Sequence, residues 1–287
     1  HFAVTVLFVP SVLFWGSGIL KDSWALASAG WYCYSFYRIF IKGDKIILPI
    51  ITLIISMFIL ITVKPYIFVG LLPGSMLWMI WSRLSKIKNL AVRVFSAPVI
   101  AAVGIAIGVG IWMLTSSDLG RYSTMDSMIE KAQISSLDLK QNYYQGNSFD
   151  LGEYDPTLSG ILGKFHIATL TGLFRPFLWE AKNIVMRVSG LENLIILFFT
   201  VWVLLRNPFV ALHKLFSNPL VLFSLIFAVF FAFSVAISTS NFGALVRLRI
   251  PMLPFLLSGL VLIEYADYAV KNPSGAIKKS QYKNSAV

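Results

Sequence analysis

Blocks of about 20 consecutive, mostly apolar residues restrict the fold of this chain more than any other feature. Because an α-helix rises 1.5 Å per residue, each block is long enough to cross the roughly 30 Å hydrocarbon core of a bilayer. Hydrophobic residues make up 57% of the 287-residue sequence and charged residues only 13%, whereas soluble domains carry roughly 45–50% and 25%. These proportions exclude a soluble enzyme and a disordered chain, and the single Cys33 excludes a disulfide scaffold.

The apolar blocks predict an all-α fold, a polytopic membrane bundle of about eight spans. Lipid tolerates only helices and closed barrels, and the blocks do not alternate apolar with polar residues as the strands of a barrel do. Several blocks are short, which indicates tilted or broken helices. The predicted spans are residues 2–20, 23–41, 46–63, 66–81, 94–115, 190–205, 217–237 and 250–266.

The charged residues between the spans predict the orientation of the chain. If the spans alternate in direction, one side carries 13 basic and three acidic residues, and the other carries the remaining 11 basic and 10 acidic residues. An excess of Lys and Arg marks the cytoplasmic side. The chain is therefore expected in a bacterial inner membrane, with both ends of the given sequence on the cytoplasmic side. This asymmetry also explains the net charge of +11 without a nucleic acid partner.

One long hydrophilic stretch, residues 116–189, is expected on the periplasmic side. Ser127 and Glu130 have the spacing of a capping box, which predicts a helix starting near Ser127. Residues 141–156 are typical of a loop, and the apolar residues from Leu158 to Phe165 recur at the spacing of an interfacial helix. The predicted parts are transmembrane helices with short re-entrant hairpins (1–115), a periplasmic loop with interfacial helices (116–189), C-terminal transmembrane helices (190–270) and a basic cytoplasmic tail (271–287).

Motifs for nucleotide or zinc chemistry are missing from the sequence. It contains no P-loop, GxGxxG, HExxH or GxSxG pattern. The three histidines, His1, His166 and His213, fall in different segments, so no metal site is predicted. The sequence begins at His1 inside an apolar run, and we therefore expect a further N-terminal part before it.

Cations on the periplasmic side of the predicted spans are the candidate binding residues. An isolated one can simply end a helix in water, with its long stem along the apolar surface. Several on one face would instead suit an anionic lipid headgroup, because the planar fork of Arg binds two phosphate oxygens at once. The candidate lipid-phosphate ligands are Lys21, Lys64, Arg175, Arg247 and Arg249.

Asp22 is the candidate catalytic acid. It lies with Lys21 in the break between the first two predicted spans, where an ionised carboxylate could accept a proton from a substrate hydroxyl or help to hold a divalent cation. The simpler alternatives are an ion pair with Lys21 and capping of the second span. For a catalytic role, Asp22 must face a cavity that opens to the periplasm near Lys64 and the loop after Thr115.

The segment PSVLFWGSGILKD (residues 10–22), followed by an apolar span, resembles the second outer junction of GT-C fold glycosyltransferases, which include bacterial relatives of protein mannosyltransferases. The hairpin around TVKPY (residues 62–66), with Leu72-Pro73, is similar to the short re-entrant helix pair of that family. The segment RLRIP (residues 247–251) adds a weaker likeness. The resemblance implies an enzyme that transfers a sugar from a polyprenyl-phosphate donor on the periplasmic side.

The same resemblance implies that the principal catalytic carboxylate precedes His1, so that Asp22 matches only a supporting acidic position. Two other classes of function remain open from the sequence. A polysaccharide polymerase or ligase would use outer-loop arginines to grip a lipid diphosphate. A non-enzymatic membrane subunit of a secretion, motility or transport complex would have the same hydropathy. The near absence of ionisable residues in the predicted spans argues against a proton-coupled carrier.

Overall fold

The computed structural model of the chain describes residues 8–18, 20–44, 46–87, 123–141 and 148–271, together with isolated positions between 92 and 120. The regular structure of these residues is helical, and the only β-pairing among them is an isolated bridge between Ser148 and Asn241. The helices are α1 (Pro10–Gly16), α2 (Lys21–Phe36), α3 (Ile47–Val63), α4 (Pro65–Leu84), α5 (Met125–Leu139), α6 (Leu158–Gly163), α7 (Phe165–Phe174), α8 (Ile184–Arg206), α9 (Pro208–Ser217), α10 (Pro219–Ser238), α11 (Phe242–Leu248) and α12 (Leu253–Lys271). The predicted all-α fold class is confirmed.

Four helical segments of the described chain are long and apolar enough to cross a membrane, rather than the eight expected. Three are α4, α8 and α10, and the fourth runs from Phe242 to Ala266 through α11, a 3₁₀ turn (Ile250–Met252) and α12. Helix α3, with 17 residues, is a shorter apolar helix. Helix α2, with 16 residues, continues into a π-helical turn (Tyr37–Lys42). The chain is thus a helical membrane protein, and the count of eight spans stays a prediction.

Some predicted segments have different bounds in the structure or lie outside the described residues. Residues 10–16 of the first predicted span form the short α1, and the span at 94–115 and the tail beyond Lys271 lie largely or wholly outside the described residues. Helix α5 begins at Met125, two residues before Ser127, because Thr124 is the N-cap and Ser127 closes its capping box. Helix α4 has 20 residues and is a candidate span by its length and composition, and the predicted re-entrant hairpin stays a prediction.

Helix α10 lies at the centre of the bundle and packs against α4, α7 and α12. Its aromatic face, which includes the fully buried Phe223, Phe227 and Phe231, fits against small residues on the neighbouring helices. A Cβ atom at Gly70 or Gly74 of α4 would lie 3.1–3.2 Å from these phenylalanine rings, so glycine lets the two helices approach closely.

The outer surface of the bundle is apolar, as a bilayer requires. One side of α3 exposes a row of large aliphatic and aromatic side chains, and α8 does the same along its length. Only 28% of the apolar window of α8 is buried within the protein. Such extended apolar surfaces are typical of contact with lipid rather than water. The exposed residues on these two helices include Ile47, Leu48, Ile51, Ile54, Phe58, Ile195, Phe198 and Leu205.

Charged residues gather at the two ends of the α2–α3–α4 unit. At one end Arg38 pairs with Asp44 at 2.8 Å, and Arg83 at the end of α4 donates to the carbonyl of Phe40 at 2.7 Å. At the other end lie the start of α2 and the α3–α4 junction at Lys64. The helices of this unit therefore alternate in direction, and the second end contains the candidate site.

Candidate functional site

Asp22, Lys64 and Arg247 meet in one cluster, which we call the carboxylate cluster. Asp22 is the second residue of α2, Lys64 joins α3 to α4, and Arg247 lies in the last turn of α11. Lys64 Nζ forms an ion pair with Asp22 Oδ1, while Arg247 Nε donates to Asp22 Oδ2 at 2.8 Å and Arg247 Nη2 lies 2.7 Å from the same oxygen as an ion pair. Two nitrogens of the guanidinium are thus in contact with one carboxylate oxygen.

The local sequence explains why these three side chains project from helix ends. Pro65 supplies the first residue of α4, where proline fits because the first helical N–H has no intrahelical partner, so the chain breaks at Lys64. Asn241 caps α11 by accepting from the backbone N–H groups of Gly243 and Ala244. Asp22 in the first turn of α2 lies at the positive end of the helix dipole.

The carboxylate of Asp22 is enclosed rather than free. Asp22 is only 4% exposed, and each of its carboxylate oxygens accepts a hydrogen bond from a cationic side chain. The alternatives of a local pair with Lys21 or of capping by Asp22 are not what the structure shows, because the helix cap at Leu20 uses no side chain and the described ion pairs reach distant helices. The expected proximity of Asp22 to Lys64 is confirmed. Because both oxygens are occupied, Asp22 is suited to holding the two cations in place.

A cleft of about 430 Å³ opens beside this cluster. Arg247 lines it, and the Arg247 guanidinium lies 5.2 Å from the centroid of the Trp15 ring, which forms part of the same wall. The prediction that Asp22 itself faces this cavity is wrong, because Asp22 does not line the cleft, whereas its partner Arg247 does. With a side chain that is 43% exposed, Arg247 is the cation that a ligand in the cleft can reach. The further walls are Asn183, Val185, Met186, Ser189, Gly243, Ala244 and Val246.

The cluster has an excess of positive charge. Two cations surround one carboxylate, and the exposed Lys21 precedes Asp22 in the chain. The site is therefore suited to an anion in the cleft rather than to a cation. Among the described residues, no group of three or more His, Cys, Asp or Glu side chains could hold a metal ion, so a divalent cation at Asp22 would have few further protein ligands there.

Arg249 was predicted to bind lipid phosphate, but it lies inside the protein. It is 0% exposed, its Nη1 donates to the carbonyl of Arg175 at 2.8 Å and also to those of Gly172 and Leu173 at the end of α7, and its Nη2 donates to Asn193. These carbonyls have no intrahelical partner, because α7 ends there. Arg249 thus closes the end of α7 and does not line the cleft.

Arg175 is also turned toward protein groups. Its Nε donates to both oxygens of Glu180 at 3.0 and 3.1 Å, and its guanidinium lies 5.2 Å from the ring centroid of Phe242 and 5.6 Å from that of Phe149. Partial burial favours protonation of Glu180, but the hydrogen bonds from Arg175 and from the backbone N–H of Phe177 outweigh it and lower the pKa of the carboxyl. The expected convergence of Arg175, Arg247 and Arg249 on one phosphate is not what the geometry supports.

The sequence analysis did not identify a buried polar group inside α8. Glu192 accepts from the backbone N–H and the hydroxyl of Ser11 at 2.8 and 2.6 Å, and the adjacent Asn193 donates to the carbonyl of Pro176. The predicted span began at Gly190, which put Glu192 at its edge, whereas α8 begins at Ile184 and contains Glu192 within it. The sequence feature that could have indicated this buried group is the acid Glu192 next to the amide Asn193 in an otherwise apolar run.

Comparison of the chain with models of known families, with curated proteins and with solved structures found no match.

Proposed function

We propose that the chain is the membrane body of a glycosyltransferase that takes a sugar from a polyprenyl-phosphate donor on the periplasmic side, in the assembly of a cell-envelope glycan or glycolipid. The observation that carries the proposal is the hydrogen bond and ion pair of Arg247 with Asp22 at the edge of the cleft. They hold a half-exposed Arg247 side chain where an anionic headgroup would lie. The resemblance around residues 10–22 and 62–66 supports the same class of enzyme.

In this proposal Arg247 binds the phosphate of the donor. When the acceptor hydroxyl attacks the anomeric carbon, the bond from that carbon to the phosphate oxygen breaks, and negative charge grows on the departing phosphate. A fixed guanidinium stabilises that charge more in the transition state than in the bound donor. Lys64 adds a second positive charge close by, and Lys21 a third at the exposed start of α2.

Asp22 has the role of a positioning residue in this scheme. It orients Arg247 and neutralises part of the charge of the cluster, and both of its oxygens are already engaged. The acceptor proton would go to a second carboxylate, the principal acid that the resemblance implies. The bacterial inner membrane and the periplasmic location of the site follow from the charge asymmetry of the sequence and belong to the proposal.

A polysaccharide polymerase or ligase would use the same cluster to hold a lipid diphosphate. The two proposed enzyme classes differ in the donor. It is a sugar on a lipid monophosphate for the transferase and a glycan on a lipid diphosphate for the polymerase or ligase. A non-enzymatic subunit would bind neither donor through Arg247. The complete protein in lipid nanodiscs, incubated with each radiolabelled donor, distinguishes the three possibilities.

The decisive variant is Arg247→Lys, which keeps the charge but loses the fork. A hydrogen bond to a charged group contributes about 1.5–3 kcal/mol, so we expect binding of a farnesyl monophosphate probe to weaken by roughly 10-fold or more. The matched control is Arg206→Lys, at the far end of α8, where Arg206 faces Glu264 at 3.8 Å. Equal affinities for the wild type and Arg247→Lys would overturn the phosphate assignment.

A further inference from the structure

Glu192 is a buried acid inside α8, and the proposed chemistry at Arg247 gives it no role. Its residue is 8% exposed, and it lies within one of the helices that are long and apolar enough to cross a membrane. An ionisable side chain in such a helix is costly, so its presence indicates a function and not merely solvation. Glu192 does not line the cleft, so that function is exerted through a neighbouring residue.

Both carboxylate oxygens of Glu192 are directed to one residue, Ser11 of α1. The Ser11 hydroxyl donates to Oε1 at 2.6 Å, and the Ser11 backbone N–H donates to Oε2 at 2.8 Å. The charge of Glu192 is offset by the electrostatic interaction with the buried Arg249, which donates to the adjacent Asn193. The acid thus makes a two-point connection between α8 and α1.

Helix α1 needs such an external connection because of its length. It has seven residues, and its N-cap residue, Val9, makes no side-chain hydrogen bond to the helix. Isolated helices of this length are unstable in water, and the N–H groups of a first helical turn have no partner within the helix. Glu192 supplies a partner for the N–H of Ser11 in that first turn. The position of α1 therefore depends in part on Glu192.

The connection lies one helical turn from the cleft on both helices. On α1, Trp15 follows Ser11 by four residues, so the two lie on the same face, and Trp15 lines the cleft. On α8, Ser189 precedes Glu192 by three residues and also lines the cleft. The guanidinium of Arg247 lies over the Trp15 ring, 5.2 Å from its centroid, which is within the range of a cation–π contact.

We propose that Glu192 is a positioning residue, which holds α1 through Ser11 so that the Trp15 ring covers one face of the Arg247 guanidinium. Asp22 contacts two nitrogens of the same guanidinium, so the ring and the carboxylate together set its position. The inference rests on the proposed function for the anion at Arg247 and adds a residue on another helix that prepares the site. It acts without contact with the ligand.

Three substitutions distinguish the contacts of Glu192 from its charge. Glu192→Leu suits an apolar helix and removes both acceptors. Ser11→Ala removes the hydroxyl and keeps the backbone N–H. Glu192→Gln removes the charge and keeps both contacts, because its amide oxygen accepts from the N–H while the hydroxyl of Ser11 turns to accept from the amide nitrogen. The matched control is Glu264→Leu, which removes an acid that faces Arg206 at 3.8 Å, at the far end of α8.

The position of Trp15 can be measured without any ligand. Val185 is exposed and lines the cleft, so Val185→Cys in a Cys33→Ser background can carry a bimane label, whose fluorescence is quenched by a nearby tryptophan. The complete protein in nanodiscs is used, and Trp15→Phe gives the share of quenching that is due to Trp15. We expect Glu192→Leu to lose most of that share and Ser11→Ala to lose part of it.

Glu192→Gln and Glu264→Leu should keep the quenching by Trp15. Ser11→Ala decides the test if Glu192→Leu does not fold. Unchanged quenching in Ser11→Ala and in a folded Glu192→Leu would overturn the proposal. So would a Glu192→Gln variant that keeps the quenching but loses sugar transfer, because Glu192 would then act in the reaction itself.

Binding of the farnesyl monophosphate probe measures the consequence for Arg247. A cation–π contact at a partly exposed site contributes a factor of about 3 in affinity, so we expect Glu192→Leu to weaken binding by about 3-fold. In a Trp15→Leu background the same substitution should have no further effect, because it acts through Trp15. A loss of affinity that is equally large in both backgrounds would contradict the proposed connection.

The two measurements separate this inference from the proposed function. If Glu192→Leu releases Trp15 but neither it nor Arg247→Lys changes probe binding, the phosphate assignment fails and the positioning of Trp15 by Glu192 stands. If Arg247→Lys weakens binding while Glu192→Leu leaves the affinity unchanged, the proposed function holds and the positioning role of Glu192 toward Arg247 is wrong.

Discussion

Arg247 and Asp22, which are 225 positions apart in the sequence, are joined at a single carboxylate oxygen by a hydrogen bond from Nε and an ion pair from Nη2. The contact connects the start of α2 with the end of α11, and Lys64 at the α3–α4 junction completes it from the other side. One buried acid thus ties together three chain segments at the same end of the bundle. Its removal affects both the stability of the fold and the position of the exposed guanidinium.

Asp22→Asn is expected to destabilise the protein strongly. The Lys64 side chain is only 10% exposed, and a buried ammonium that loses its counter-charge costs about 3–5 kcal/mol. Adding Lys64→Met removes the buried charge that has lost its partner. The double variant Asp22→Asn/Lys64→Met should therefore recover most of the lost stability, while phosphate binding stays weak. Denaturant unfolding of the complete protein in detergent measures the free energies of this cycle.

The control for Asp22→Asn is Asp44→Asn at the other end of the bundle. Asp44 is 40% exposed in its pairs with Arg38 and Lys42, and exposed ion pairs contribute about 1 kcal/mol or less. If Asp22→Asn costs no more stability than Asp44→Asn, the buried pair with Lys64 does not form.

Gly172→Ala should loosen the contact between α7 and α10. A Cβ atom at this position would lie 2.1 Å from the carbonyl oxygen of Ala232, which belongs to the backbone and cannot turn away. Overpacking of this kind costs about 1–3 kcal/mol. Thermal unfolding should show a lower midpoint for Gly172→Ala, whereas Gly163→Ala, which has open space, should unfold like the wild type. Equal midpoints for the two variants would mean that α7 is not packed so closely.

The Arg175–Glu180 pair predicts a pH-dependent contribution to stability. The pKa of Glu180 is below its ordinary value of 4.5, because the hydrogen bonds from Arg175 and Phe177 outweigh the effect of partial burial. The contribution of Glu180 is therefore fully present above the ordinary pKa and is lost as the pH falls through the lowered value. We expect Glu180→Gln to be less stable than the wild type at pH 7 and the difference to shrink under acid conditions.

Unfolding at several values between pH 7 and about pH 3 measures this effect for Glu180. Glu153→Gln, which changes an exposed carboxylate in the same hydrophilic stretch, is the control. A difference between wild type and Glu180→Gln that stays constant down to the acid end of this range would contradict the assigned direction of the pKa.

The orientation predicted from the charges can be tested with single cysteines. In a Cys33→Ser background, Asn147→Cys should react with a membrane-impermeant thiol reagent in intact cells, and Ser280→Cys should react only after lysis. The physical reason is the excess of Lys and Arg on the side that contains Ser280. The reverse pattern of labelling would invert the topology and place the carboxylate cluster in the cytoplasm.

The helical membrane class and the positions of most helices could be predicted from the sequence. Apolar blocks in lipid must satisfy every backbone N–H and C=O within their own segment, so their existence nearly dictates helices. The residues at which the helices begin and end were less predictable. Helix α8 begins six residues before the predicted Gly190, because Asn183 supplies the cap and a stretch with polar residues is wound into the first turns. Thr124, rather than Ser127, caps α5 for a similar local reason.

The sequence alone determined which residues carry charge at helix junctions, and Asp22, Lys64 and Arg247 were all identified in this way. It could not separate Arg247 from Arg249, two residues later, because both have the same chemistry and similar neighbours. Tertiary packing decided that one guanidinium faces a cleft and that the other closes the end of α7 in the interior. Hydrophobic periodicity depends on neighbours within a few turns, whereas partners 56 or 225 positions apart are set only when helices pack.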